Sequence, residues 1–461
     1  MPFYSKSFAH QSVLLPAIAL STLLLLGGCN SAADASAQKN TETGSPKNVI
    51  LFIGDGMGVS TVTAARIFDG QSKGKSGEEH SLAFEAFDNL ALIKTYNTNA
   101  QVPDSAGTAT AILSGYKTNI GAVNVKPNVD ETVMVKEACT DKASPPTLTK
   151  VAKAKGKAVG VISTARLTHA TPAAMYSHSV SRSWETDKDI KDAMAVAGCT
   201  SIAQQLVESD VDLALGGGRK EFTDAHIQSW TDQGHIYVAD FADLSDSPAD
   251  QRILGLFNSS HMSFEADRAE TNEPSLADMT TLAINRLSQD EDGYVLMVEA
   301  GRVDHAHHGT NAYRAMRDMQ ALNEAVQAAL AQAGDDTLIM VTADHSHVFT
   351  MSGYPMRGNP IMGLVKRPDS EDYELAKDGK PYTTLGYHNG SNQRTADSVP
   401  LTDNMVQDPD YRQETAIPLG SETHAGEDVP LYATGPGSEK VRGTMEQDEI
   451  GRLIREVLAL N

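Results

Sequence analysis

Residues 337–347 read TLIMVTADHSH. An apolar run, Thr337–Val341, gives way within three residues to Asp344, His345 and, two further on, His347. A run without polar alternation predicts a strand buried on both faces, as in a parallel sheet. Five more runs have the same form: Asn48–Ile53, Ala158–Ile162, Val211–Leu215, Tyr294–Val298 and Val429–Ala433. Helical patterns lie between them. The clearest is Asn311–Ala333, where Ala312, Met316, Met319, Leu322, Val326 and Leu330 recur at spacings of three or four and Gly334 follows as a stop. Strands alternating with helices predict an α/β fold: a large, mostly parallel central sheet with helices on both faces. Residues 352–423 differ, being rich in Gly, Pro, Asp and Tyr, and read as a loop-rich insertion between two core strands.

Ligands of open parallel sheets bind at the carboxyl ends of the strands. Three of these ends, and the start of a fourth run, carry acids and imidazoles. Asp55 follows Ile53, and Glu299, Asp304, His305, His307 and His308 follow Val298. Asp344 and His345 follow Val341, and His424 precedes Val429. A single acid after a strand is usually a turn or a helix cap. Four coincident cases point to carboxylate and imidazole as a ligand set for zinc and its relatives. Asp304 and His308, four apart, share one face of a helix, whereas His305 and His307 point elsewhere. Asp344 and His345 are adjacent, so both reach one centre only where strand has become loop.

Composition narrows the function further. The chain is 40% hydrophobic and 21% charged, which suits a globular core, and its net charge of -22 opposes nucleic-acid binding. The same field repels phosphate, so any phosphate site must be locally positive, and bound divalent cations would supply that charge. Residues 1–28 carry Lys6 and no other lysine, arginine or acid, followed by an apolar run from Val13 to Leu26. That is a signal-peptide layout. The run ends Leu26-Gly27-Gly28-Cys29, which resembles a bacterial lipoprotein cleavage site with Cys29 as the lipidated residue; the competing reading is an ordinary secretory signal. A secreted, lipid-anchored location follows, periplasmic or at the cell surface, with Asn30 arguing for the outer membrane. Residues 29–46 read as a flexible tether. Cys139 and Cys199 remain. In an oxidising compartment they pair or stay as buried thiols; pairing would stabilise by roughly 4 kcal/mol.

The nucleophile candidate is Ser105, within VPDSAGTAT, residues 102–110. Small residues follow it, and Pro103 is placed to open a helix. Ser105 then lies at a helix N-terminus, which favours an anion; the competing role is a plain cap. No histidine adjoins it in sequence, so its activation falls to a metal. His169 and Thr171 lie on one side of an extended segment. Arg182 offers a fork of donors for two phosphate oxygens, or is a surface arginine.

Taken together, VPDSAGTATAILSG, HATPAAMYSHSVSR, VEAGRVDHAHH, TADHSHVFT, TTLGYHNG and ETHAGEDVPLYATGPGS resemble alkaline phosphatases, more the animal-like than the enteric bacterial type. They run in order from about residue 47 to 440. The resemblance implies that Ser105 is the nucleophile, forming a phosphoserine. It implies one zinc on Asp304, His308 and His424 and a second on Asp55, Asp344 and His345. A magnesium is implied on Asp55, Thr171 and Glu299, with His169 beside it. Arg182 is the implied phosphate clamp, oriented by Asp104. Phosphate monoesters are the implied substrates. His169 and His305 stand where the enteric type has Asp and Lys, so magnesium should be held less directly. The animal enzymes' calcium site uses Glu at the position of Asn258, so the resemblance leaves that site open. Residues 47–461 form the implied catalytic domain, and 352–423 resemble the crown-like insertion of the animal enzymes, which implies a homodimer. A sulfatase would need a Cys-x-Pro-x-Arg setting, which is absent. A phosphodiesterase would favour the bis-ester of p-nitrophenol over the monoester. A non-catalytic, lipid-anchored binding protein would not need Ser105 and Arg182 together.

Overall fold

The computed structural model describes residues 44–127, 144–190, 198–244 and 251–460. The signal segment, Cys29 and Cys139 lie outside them, and Cys199 is buried. In chain order the strands begin with β1 (Asn48–Gly54), β2 (Asn89–Lys94), β3 (Ala158–Arg166), β4 (Leu213–Gly217) and β5 (Ile236–Val238). Next come β6 (Ile253–Leu256), β7 (Tyr294–Ala300), β8 (Thr337–Ala343), β9 (Ser346–His347) and β10 (Phe349–Met351). The last are β11 (Leu385–Gly390), β12 (Thr415–Pro418), β13 (His424–Ala425), β14 (Val429–Thr434) and β15 (Gly443–Glu446).

Ten of these build one sheet in the order β15-β2-β14-β8-β1-β7-β3-β4-β6-β5. All residues of β1, β7 and β8 are buried. Successive side chains point to opposite faces, so both faces of the sheet centre are covered. All six runs become strands, but Val429–Ala433 does not run parallel: β14 is antiparallel to both β8 and β2. A buried antiparallel strand between two neighbours has the same apolar composition as a parallel one, so composition does not reveal its direction. The weaker strands β2, β5, β6 and β15 were not legible. On β2 burial alternates, leaving Leu90 and Leu92 exposed.

The expected long helix spans Ala312–Gln332. Asn311 caps it by accepting from the Arg314 amide at 2.9 Å. Its stripe packs on the helices Leu276–Leu287 and Val59–Ser72. Leu330, expected in that stripe, is exposed instead, and the adjacent Ala329 takes the buried position. Residues 352–423 do connect two adjacent core strands, β8 and β14, and carry the small strands β11 and β12.

Candidate metal centre

Register brings the acids together. Gly54 on β1 lies opposite Ala300 on β7 and Ala343 on β8. Asp55, Glu299 and Asp344 therefore leave the sheet within one residue of a common level. Gly56 follows with φ +73°, and a Cβ there would sit 2.3 Å from His347 Cδ2, so only glycine fits this turn. The Gly56 amide donates to Asp344 Oδ1 at 3.1 Å.

A first cluster gathers around Asp304 on the helix Arg302–His308. Nε2 of His308, four residues on, lies 3.2 Å from Asp304 Oδ1. Nε2 of His424 lies 3.3 Å from the same oxygen, and Nε2 of His347 lies 2.9 Å from it. Sequence reasoning quoted His347 but gave it no role; its signal was the two-residue spacing from His345. The pairing of β9 with β13 sets His347 opposite His424. His307 turns away, its ring between Thr61 Oγ1 at 3.1 Å and the Tyr387 hydroxyl at 2.8 Å.

A second cluster holds Asp55, Asp344 and His345, all fully buried. Nε2 of His345 lies 3.4 Å from Asp55 Oδ1 and 3.3 Å from Asp344 Oδ2. It also lies 3.1 Å from Ser105 Oγ, a histidine contact that sequence adjacency did not reveal. Ser105 opens the helix Ser105–Ser114, but it is not the cap, and Pro103 lies outside the helix. Asp104 is the cap: its Oδ1 accepts from Gly107 N, Gly121 N and Asn97 Nδ2, each at 3.1 Å. That leaves Oδ2 for Arg182 Nη1 at 3.0 Å. Arg182 Nη2 meets His169 Nε2 at 3.1 Å.

A third cluster joins Asp55, His169 and Glu299. Thr171, fully buried beside His169, completes it on the short helix Ala170–Ala173. Two further imidazoles, His261 and His305, pack with ring centres 4.1 Å apart, each 5.4 Å from His169. Burial pushes the His305 imidazole down to about 3 and that of His261 to about 2, so these rings are neutral.

Unpaired atoms in the second and third clusters test for a cation. Both Asp55 oxygens, Glu299 Oε1, Thr171 Oγ1 and His169 Nδ1 are buried without a hydrogen-bond partner. Such orphans are rare in native structures and mark an ion site. Burial and the neighbouring Asp344, Asp304 and Glu299 push the Asp55 carboxyl well above the usual range. Burial likewise raises Glu299 to about 7. Three buried acids sharing one site cannot all ionise without compensating positive charge. Asp304 differs: burial opposes its charge, but the imidazoles of His308, His347 and His424 gathered on its oxygen win and hold it well below the usual range. Carboxylate oxygens and imidazole nitrogens are ligands for divalent metals, so the residues fit the expected cations. The Glu273 carboxylate near Asn258 contrasts with this. Asn258 Nδ2, Ser263 and Arg268 all donate to it. Its charge is met from within the chain.

Residues 46–460 match the profile of the family described as alkaline phosphatase. The chain is 42% identical over 443 residues to the tissue-nonspecific alkaline phosphatase isozyme of Gallus gallus, covering 88% of this chain and 83% of that protein. It is 40% identical to the alkaline phosphatase of Gadus morhua, covering 88% and 90%. Among solved structures it resembles a mutant of the TAB5 alkaline phosphatase with Mg bound in the M3 site. The TM-score is 0.64 and the identity 25%, over 91% of this chain and all of that one. Among the described residues no helix is long and apolar enough to cross a membrane. With acids, imidazoles and a buried serine gathered at the sheet's carboxyl edge, and with relatives this similar along nearly the whole chain, the protein belongs to the alkaline phosphatase family of phosphomonoester hydrolases.

Proposed function

We propose that the chain hydrolyses phosphate monoesters through a phosphoserine at Ser105, with two zinc ions and one magnesium ion at the clusters described. The observation that carries this is the contact of Ser105 Oγ with His345 Nε2 beside the unpaired Asp55 oxygens. Asp304, His308 and His424 would hold one zinc; Asp55, Asp344 and His345 would hold the other. Asp55, Thr171 and Glu299 would hold magnesium, with His169 alongside. A TAB5 alkaline phosphatase mutant in which a histidine is replaced by aspartate holds Mg in its M3 site, which supports a magnesium site of this kind.

Bound cations would lower the proton affinity of the Ser105 hydroxyl and offset charge on the leaving oxygen. The remaining chemistry falls to the chain. Ser105 stands at the first turn of its helix, where backbone amides favour a phosphoryl anion. Arg182 is the phosphate clamp, held in place by Asp104, so its fork needs little reorganisation in the transition state. Ser105 Oγ gives its proton to solvent and bonds to phosphorus as the bond from phosphorus to the ester oxygen breaks, and the departing oxygen takes up a proton from solvent to leave as the alcohol. Water then breaks the Oγ–P bond, releasing inorganic phosphate and restoring the hydroxyl. Acid quenching during turnover, followed by peptide mass analysis, should find phosphate on Ser105. Phosphate found elsewhere, or nowhere, would sink the reading.

The same proposal includes a lipoprotein signal over residues 1–28, lipid on Cys29, a tether over 29–46 and a Cys139–Cys199 disulfide. It places the protein outside the inner membrane as a homodimer joined through the crown-like residues 352–423. Intact mass before and after reduction, and light scattering, test these points.

A further inference from the structure

Glu422, the penultimate residue of the inserted stretch, is 1% exposed and makes three hydrogen bonds to residues of the first cluster and a fourth beside it. Its Oε2 accepts from His347 Nδ1 at 2.6 Å, and its Oε1 accepts from the Val348 amide at 2.9 Å. Its backbone carbonyl accepts from His308 Nδ1 at 2.7 Å. Its backbone amide donates to the His308 carbonyl at 3.2 Å. Two rings that converge on Asp304 Oδ1 are thus both oriented by this one residue.

We propose that Glu422 is a positioning residue for the cation held by Asp304, His308 and His424: its carboxylate presses His347 against Asp304, while its carbonyl fixes the ring of His308. The inference rests on the metal assignment proposed above. The physical reason is directional. With Nδ1 of His308 given to a carbonyl, only Nε2 remains to face a metal. With His347 anchored on Glu422, its Nε2 holds Asp304 Oδ1 at 2.9 Å, on the same oxygen that His308 and His424 face, and so fixes the orientation of that carboxylate. Glu422→Gln preserves volume but turns one acceptor into a donor, which must then face either the Val348 amide or His347 Nδ1–H. The insertion therefore reaches into the metal-binding helix through a buried acid.

The test compares purified full-length protein with E422Q and with D304N. Zinc content is followed by elemental analysis under graded chelator. The visible spectrum is recorded after cobalt replaces zinc. E422Q is expected to lose one zinc equivalent at a chelator concentration on the order of 10- to 100-fold lower, with a shifted cobalt band and the second zinc retained. Unchanged zinc release together with an unchanged cobalt band would overturn the inference. A wild-type protein that binds no zinc, or a D304N variant that keeps all of it, would instead overturn the metal assignment beneath it. Should E422Q not fold, H347N cuts the same link from its other side, and zinc release unchanged from wild type in that variant would be equally fatal.

Discussion

The Nε2 atoms of His308 and His424 lie 3.2 Å apart. Nδ1 of His308 faces the Glu422 carbonyl, and Nδ1 of His424 faces the Pro103 carbonyl at 2.8 Å. A carbonyl only accepts, so in each neutral ring the hydrogen sits on Nδ1 and Nε2 is a bare lone pair. Both lone pairs also face Asp304 Oδ1, a third acceptor. In those tautomers neither Nε2 donates to the other or to Asp304 Oδ1, whose donor at 2.9 Å is His347 Nε2, so a divalent cation seated against the two lone pairs would supply the positive charge they lack.

Chelation follows from this geometry. We predict that EDTA abolishes phosphatase activity and that zinc with magnesium restores it. Rates before chelation, after it and after readdition check this, and indifference to EDTA would contradict the site.

Removing the nucleophile should separate chemistry from metal binding. Ser105→Ala is expected to lower turnover by roughly 10⁴-fold or more, as loss of a nucleophile does elsewhere. Its zinc content should stay near the wild-type value, because Ser105 touches the site only through His345. Residual turnover near wild type would place the nucleophile elsewhere.

Arg182 should act on the phosphoryl group alone. Two charge-assisted hydrogen bonds are at stake, so Arg182→Ala is expected to cut kcat/KM by about 10- to 100-fold. Inorganic phosphate should inhibit the variant less by a similar factor. Equal loss for substrates with and without a phosphoryl dianion would argue against a clamp.

A buried tie can be cut away from the chemistry. Tyr387→Phe removes the partner of His307 Nδ1 and should cost about 1–2 kcal/mol of stability. Denaturant unfolding of the metal-loaded protein measures it, and no change in midpoint would mean that water replaces the hydroxyl.

Asp318, which belongs to none of the three clusters, gives a separate pH signature. Burial raises its carboxyl to about 7, against the opposing pull of Arg302 and Arg268. A raised acid binds its proton more tightly when folded, so stability falls as pH rises from about 4 to about 7 and levels off above that. Asp318→Asn can still accept from the Glu265 amide, so it should remove this slope. The difference in melting temperature between variant and wild type should grow through that window, and a flat difference would refute the assignment.

Much of the candidate site could be read in advance, because acids and imidazoles that converge in the fold stand directly after apolar runs that announce themselves as strands. Asp55, Glu299 and Asp344 are such cases. His347 and Glu422 were harder. Each lies two residues from a histidine of the candidate site, and nothing local tells a residue that faces a cation from one that steadies it. Ser105 was legible as a helix opener, yet its contact with His345 spans 240 positions and had no local trace.

By itself the amino-acid order determined the central sheet, the long helix and the kinds of ligand available, since burial on two faces and helical periodicity are local properties of adjacent side chains. Only the folded chain decided that β14 runs antiparallel, that Asp104 rather than Ser105 caps its helix, and that Glu422 holds two rings at once. Those depend on strand register and on contacts between distant segments, which are settled by packing in three dimensions.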